Sequence, residues 1–197
     1  MKDVLTKAAA VFLDRDGTLV RDIGYLCAED QLEVLPRVPQ AIRLLRTRSF
    51  RIVVVTNQSA VARGRLTESE LQRIHAGLSE RLGKCGAPLD GIYYCPHHPT
   101  EGVGAYNIIC DCRKPKPGLI RRAAAELGLD PAISYVVGDQ LTDMELAERV
   151  GARGIWIGDR QSLDREFEAP KVHVVADLWQ AARLIVDDLE QMRGRES

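Results

Sequence analysis

Four short runs of the chain are almost continuously apolar: AAAVFLD (Ala8–Asp14), RIVVVTN (Arg51–Asn57), YVVGD (Tyr135–Asp139) and GIWIG (Gly154–Gly158). They are too short for amphipathic helices, and apolarity on both faces marks strands buried in a parallel sheet. GIYYC (Gly91–Cys95) and KVHVVAD (Lys171–Asp177) are weaker strands of the same kind. Between them the period lengthens to that of a helix in VPQAIRLLRTR, TESELQRIHAGLSERLGKCG, KPGLIRRAAAELG and LTDMELAERVGA. Thr67 and Glu70 have the spacing of a capping box, Thr142 and Glu145 repeat it, and Gly128 is a helix stop. Strand and helix in alternation imply right-handed crossovers and a doubly wound, mainly parallel α/β sheet. There is no repeat, low-complexity tract or linker, so one domain is expected over residues 1–197, with the polar RGRES at its end frayed.

In such a sheet the ligand site lies beyond the carboxyl ends of the strands. The residues there are Asp14 and Asp16, Thr56 and Asn57, Cys95, and Asp139. Asp14 and Asp16, at i and i+2 of an extended chain, point to one side and converge. Two carboxylates so close need a cation or a shared proton. An isolated Asp-x-Asp is as often a capped turn, but this one follows a buried strand and precedes Gly17, which permits a sharp turn. Thr56 and Asn57 can hydrogen-bond phosphoryl oxygens, Lys114 offers a cation near a helix start, and Asp139 with Asp143 adds carboxylates. Oxygen-only ligands of this kind suit magnesium.

Charge narrows the field. The 197 residues carry a formal net charge of -1, without the basic footprint of a nucleic-acid or membrane-surface binder. No apolar run approaches the ~20 residues of a membrane helix, and Lys7 and Asp14 break up the apolar N-terminal stretch that a signal peptide needs. A cytoplasmic protein is expected, acting as a monomer on a small molecule.

In a reducing compartment clustered cysteines bind metal more often than each other. CPHHPTEGVGAYNIICDCRKPKPG (95–118) holds three of the five cysteines and two of the four histidines. Cys95, His97, Cys110 and Cys112 form a C-x-H and a C-x-C pair across a loop. Three thiolates and an imidazole suit tetrahedral zinc, and four protein ligands make a closed, structural site. A redox pair and unrelated thiols are the alternatives. His98 is then a rim residue, and Cys27 and Cys85 are ordinary small apolar side chains.

DRDGT (Asp14–Thr18), Thr56, Lys114, and Asp139 with Asp143 together resemble the four motifs of the haloacid dehalogenase superfamily of phosphatases, over nearly the whole chain. The resemblance implies that Asp14 attacks phosphorus to form an aspartyl phosphate, and that Asp16 protonates the leaving alcohol and then activates water. It also implies Mg²⁺ held by Asp14, Asp139 and the Asp16 backbone carbonyl, with Lys114 and Thr56 on the phosphoryl oxygens.

Within that superfamily, CPHHP and CDCRKPKPG resemble the D-glycero-D-manno-heptose 1,7-bisphosphate phosphatases. Asp22, Gly24 and Tyr25, the run Thr56-Asn57-Gln58-Ser59, and Arg113 beside Lys114 match segments that hold the sugar and its phosphates there. Loss of the C7 phosphate, in ADP- or GDP-heptose and lipopolysaccharide biosynthesis, is the implied reaction. Histidinol-phosphate phosphatases share the zinc arrangement with a shorter loop and are the alternative, along with other small sugar-phosphate phosphatases. A non-enzymatic zinc scaffold is opposed by the intact Asp14, Asp16, Lys114 and Asp139. Two positions depart from the pattern: Gln140 stands where Lys often follows the fourth-motif aspartate, and Val61-Ala62-Arg63-Gly64 varies the loop after the second motif. Gly17 to Pro39 is too short for a folded cap, which leaves the zinc loop, 95–112, as a minimal one.

Overall fold

A computed structural model describes residues 7–159 and 172–195. Its strands are β1 (Ala10–Leu13), β2 (Arg51–Asn57), β3 (Gly91–Cys95), β4 (Tyr135–Gly138), β5 (Arg153–Ile157) and β6 (His173–Val175). The helices are α1 (Val38–Thr47), α2 (Ser59–Ala62), α3 (Glu68–Lys84), α4 (Gly118–Leu127), α5 (Leu141–Val150) and α6 (Leu178–Arg195). All the strand pairs are parallel and the order is β3-β2-β1-β4-β5-β6. The chain winds outward from β1 in both directions, so the topological switch point lies between β1 and β4, where Leu13 stands opposite Val137.

Both faces of the sheet are covered, which is why the strands read as unbroken apolar runs. Val11, Leu13, Ile52, Val54 and Val137 pack with Ile42 of α1, Leu78 of α3 and Ile185 of α6. Ala10, Phe12, Val53, Val55 and Val136 face the other way, onto Ile120 of α4 and Leu146 of α5. Every residue of β1 is fully buried.

The capping box at α3 forms, with the Glu70 N–H donating to Thr67 Oγ1 at 3.2 Å and the Thr67 N–H to Glu70 Oε2 at 2.7 Å. Gly128 ends α4 in the left-handed region at φ 66°. The box expected from Thr142 and Glu145 is displaced. Gln140 is the N-cap of α5, and its N–H donates to Asp143 Oδ2 at 3.2 Å. Only two residues separate the helix from β4, so Thr142 already lies within the first turn. The strand read from KVHVVAD shortens to β6, and Lys171 lies outside the described residues.

Helix α6 is not among the helices read above; Asp177 immediately precedes it, and its Oδ1 accepts from the Gln180 N–H at 2.7 Å. It continues through Arg195, so Arg193–Arg195 are helical rather than frayed, while Glu196 and Ser197 fall outside the described residues. Between Gly17 and the start of α1 there is only a 3-10 turn (Glu29–Gln31) and isolated bridges. Cys27 is half-buried and Cys85 exposed. Among the described residues no helix is long and apolar enough to cross a membrane.

Candidate active site

Asp14 leaves β1 with its N–H donated to the Val137 carbonyl at 2.9 Å, and Asp139 leaves β4 beside it. The chain turns between them at Gly17, φ 73°, where a Cβ would stand 2.0 Å from Asp139 Oδ2. Only glycine allows that approach. Oxygens of Asp14, Asp139 and Asp143 all lie within 4.8 Å of one another.

Lys114 is inserted among these carboxylates. Its Nζ donates to Asp14 Oδ1 at 2.8 Å and to Asp143 Oδ1 at 2.6 Å, and the side chain is almost wholly buried. Burial works against its charge, but Asp14 and Asp143 outweigh burial and hold it above the ordinary lysine value. Its backbone is fixed from β2: the Lys114 N–H donates to Asn57 Oδ1 at 2.9 Å and Asn57 Nδ2 donates to the Lys114 carbonyl at 3.2 Å.

Burial, and then the Asp14 charge, push Asp139 up to about 6, and its Oδ1 is buried with no hydrogen-bond partner among the described residues. A buried carboxylate oxygen left unsatisfied beside another carboxylate is a position for a cation. The all-oxygen donor set of Asp14, Asp139 and Asp143 fits a hard divalent ion.

Asp16 lies on the other side of Asp14. Arg15 Nη2 and Nε meet both its oxygens at 2.9–3.2 Å. Gln58 Nε2 donates to Asp16 Oδ2 at 3.0 Å and to Thr56 Oγ1 at 2.9 Å. Burial raises the Asp16 carboxyl above its usual range in spite of Arg15, and the Asp14 charge adds to the rise. Behind Arg15, its Nη1 reaches His75 Nε2 at 3.1 Å. Burial first and the Arg15 cation second bring His75 down to about 3.

These groups open on a cleft of about 310 Å³ lined by Asp14, Asp16, Asp22, Gly24, Thr56, Asn57, Ser59, Arg113, Lys114, Asp139, Gln140 and Thr142. Asp22 Oδ1 accepts from the Gly24 N–H at 2.8 Å, which shapes the wall after β1. Two residues expected at the substrate are not in the lining. Gln58 is buried behind Asp16, and Tyr25 lies under the Arg65 guanidinium, 4.0 Å from the ring centre, and 5.7 Å from that of Arg63. Gln140, the departure from the family pattern noted above, lines the cleft, and so does Thr142; neither Thr142 in the lining nor the partnership of Arg15 with His75 has a local signal in the sequence. Larger cavities, 560 Å³ beside α6 and 660 Å³ along β3, contain none of the clustered aspartates. Chemistry rather than size marks the site.

The second cluster follows β3. Cys95 Sγ is 3.5 Å from Cys110 Sγ, 3.2 Å from Cys112 Sγ and 3.8 Å from His97 Nδ1; Cys112 Sγ is 3.3 Å from Cys110 Sγ and 3.4 Å from His97 Nδ1. Bonds of zinc to sulfur and nitrogen imply tetrahedron edges of about 3.5–3.8 Å; the observed 3.2–3.8 Å is slightly tighter, and the four atoms are gathered as a closed zinc site needs. The hydrogen bond from Cys95, with those of Cys110 and His97, draws Cys112 below the usual thiol range. His98 stands outside the tetrad, accepting from the Glu101 N–H at 3.1 Å. The loop is tied down around the cleft by Arg113 Nη1 on the His97 carbonyl (3.0 Å), Val103 N–H on the Ala62 carbonyl (2.8 Å) and an Arg63–Glu101 ion pair.

A HAD-hydrolase-like family profile matches residues 111–181. The chain is 46% identical over 145 residues, 73% of its length and 79% of the relative's, to the D-glycero-beta-D-manno-heptose-1,7-bisphosphate 7-phosphatase of Haemophilus ducreyi. It is 46% identical over 138 residues to the protein of the same name in Escherichia coli K12, covering 70% of this chain and 72% of that one. Among solved structures, a D,D-heptose 1,7-bisphosphate phosphatase from B. bronchiseptica, complexed with magnesium and phosphate, superposes with a TM-score of 0.80 at 32% identity, covering 91% of this chain and 99% of that one. A putative HAD-like phosphatase from Mesorhizobium loti superposes at 0.79 and 30% identity, covering 91% and 88%.

Proposed function

We propose, from the premise that the chain belongs to the heptose-1,7-bisphosphate 7-phosphatase family of haloacid dehalogenase-like hydrolases, that it removes the C7 phosphate of D-glycero-D-manno-heptose 1,7-bisphosphate. The observation that carries the reading is the meeting of Asp14, Asp16, Lys114 and Asp139 on one cleft at the β1/β4 switch point.

Asp14 is the nucleophile: its oxygen bonds to phosphorus as the ester P–O bond breaks, giving an aspartyl phosphate. Asp16 gives its proton to the departing sugar oxygen, then takes one from the water that releases phosphate and restores Asp14. Its raised carboxyl value supports the acid role. Lys114 and the Thr56 hydroxyl stabilise the phosphoryl oxygens. Asp14, Asp139 and the Asp16 backbone carbonyl would hold Mg²⁺, which offsets the repulsion between carboxylate and phosphate when bound. Asp22, Gly24, Asn57, Ser59 and Arg113, which line the cleft, recognise the sugar and its second phosphate, while Gln58 braces Asp16 and Tyr25 supports the wall through Arg65. Arg113 suits bidentate phosphate contact.

Cys95, His97, Cys110 and Cys112 would hold a structural Zn²⁺, and the loop 95–112, inserted in one phosphatase domain, forms the minimal cap. Three thiols kept free as ligands support a reducing compartment.

The test is phosphate release, with Mg²⁺, from the β and α anomers of the heptose bisphosphate and from histidinol phosphate. The β anomer, named in the relatives, is the expected preference. A specificity constant tenfold higher on histidinol phosphate, worth about 1.4 kcal/mol, would overturn the heptose assignment.

A further inference from the structure

We propose that His75 is a positioning residue for Asp16, acting through Arg15; this rests on the phosphatase reading above. Arg15 is 1% exposed and its guanidinium has two ends. One grips both oxygens of Asp16, and Nη1 at the other meets His75 Nε2 at 3.1 Å. Guanidinium nitrogens only donate. Nε2 must therefore accept, which puts the ring proton on Nδ1 and leaves the imidazole neutral. A protonated ring would set two cations against each other in a buried site.

His75 is itself held firmly. It lies between Ile74 and Leu78 of α3, both in the core, and its ring packs 5.4 Å from that of Tyr94, whose hydroxyl donates to Glu68 Oε2 at 2.8 Å. The result is a continuous set of contacts from α3 through Arg15 to Asp16, with Gln58 bracing the carboxylate from β2.

Buried arginine N–H groups need acceptors. Without one at position 75, Nη1 loses its partner, and the fork that aims Asp16 is held from one side alone. Proton transfer requires hydrogen-bond reach to the departing oxygen, and small displacements cost rate steeply. As the P–O bond breaks, Asp16 passes its proton to that oxygen and becomes a carboxylate facing the guanidinium. No proton enters or leaves His75.

The experiment compares the sugar phosphate that the wild type cleaves fastest with p-nitrophenyl phosphate, whose leaving group departs without a proton. In His75→Leu, kcat on the sugar phosphate should fall about tenfold, a small part of the ~10²–10⁴ of a positioned acid, with KM unchanged. On p-nitrophenyl phosphate, the single-turnover rate of enzyme phosphorylation should change less than twofold, whereas on the sugar phosphate it falls with kcat; hydrolysis of the aspartyl phosphate, in which Asp16 is the base, is common to both substrates. His75→Gln, whose amide oxygen can accept from Nη1, should restore most of the loss at an equal melting temperature. His75→Met, flexible enough to fill the same space, replaces the Leu variant if that does not fold. Equal losses in the single-turnover phosphorylation rate on the two substrates, or a folded Gln variant as slow as the apolar one, overturn the proposal. Wild-type protein inactive on every phosphate ester overturns instead the functional reading on which it stands.

Discussion

Asn57 and Lys114 are joined twice, the amide of one accepting from the N–H and donating to the carbonyl of the other. The pair ties the end of β2 to the residue whose Nζ sits between Asp14 and Asp143. Asn57→Ala removes both bonds and should lower kcat/KM by roughly 10–100-fold through misplacement of that cation. Destabilisation should be about 1–3 kcal/mol. Steady-state kinetics beside urea unfolding separate the two effects.

Asp14→Asn should release no phosphate. Asp16→Asn should lose roughly 10²–10⁴ in kcat, the contribution of a general acid and base. Quenched-flow detection of a phosphorylated enzyme distinguishes the roles: no intermediate forms without Asp14.

Metal analysis of protein purified without added zinc should find about one equivalent, as a closed four-ligand site requires. Cys110→Ser should lose that metal together with thermal stability. Because Arg113 donates to the carbonyl of His97, one of the four proposed zinc ligands, the variant's KM for a bisphosphate should rise more than that for p-nitrophenyl phosphate.

Asp90 provides a pH test remote from the cleft. Burial pushes its carboxyl up, but the Ile52 N–H at 2.8 Å, with Arg51 and Arg46, outweighs burial and holds the group below the usual range. A depressed folded value gives stability that is present above the unfolded carboxylate's pKa of about 3.9. That stability is lost as pH falls through the folded value. At pH 7 Asp90→Asn should be less stable by about 1 kcal/mol, since the arginines are partly solvated. Chemical melts across pH should bring the variant and wild type together as pH falls below the ordinary carboxylate range.

What the sequence disclosed followed chain proximity. Strands β2 and β3 have the ends read from RIVVVTN and GIYYC: β2 carries its apolar run Ile52–Val55 on to the polar Thr56 and Asn57, and β3 stops at Cys95 before Pro96. Asp14 with Asp16, and Cys110 with Cys112, lie close enough along the chain for spacing alone to bring them together. His75 is 60 residues from Arg15, and no local pattern pairs an α3 histidine with an arginine after β1. Tyr25 resembled a substrate contact by its neighbours in sequence, yet tertiary packing put its ring beneath Arg65. Helix α6 does carry Leu178, Ala181, Ala182 and Ile185 at helical spacing, but Arg183, Asp187 and Asp188 dilute the pattern.

The match of Leu13 to Val137 also bears on how a misfolded chain would reveal itself. Both faces of β1 are apolar, so a slip of one residue against β4 would bury nearly as much greasy surface as the native pairing. The same slip would turn Asp14 to the opposite side of the sheet from its partners. A preparation can therefore be folded by every bulk measure and still be silent. For this chain, turnover is a finer gauge of strand alignment than melting temperature.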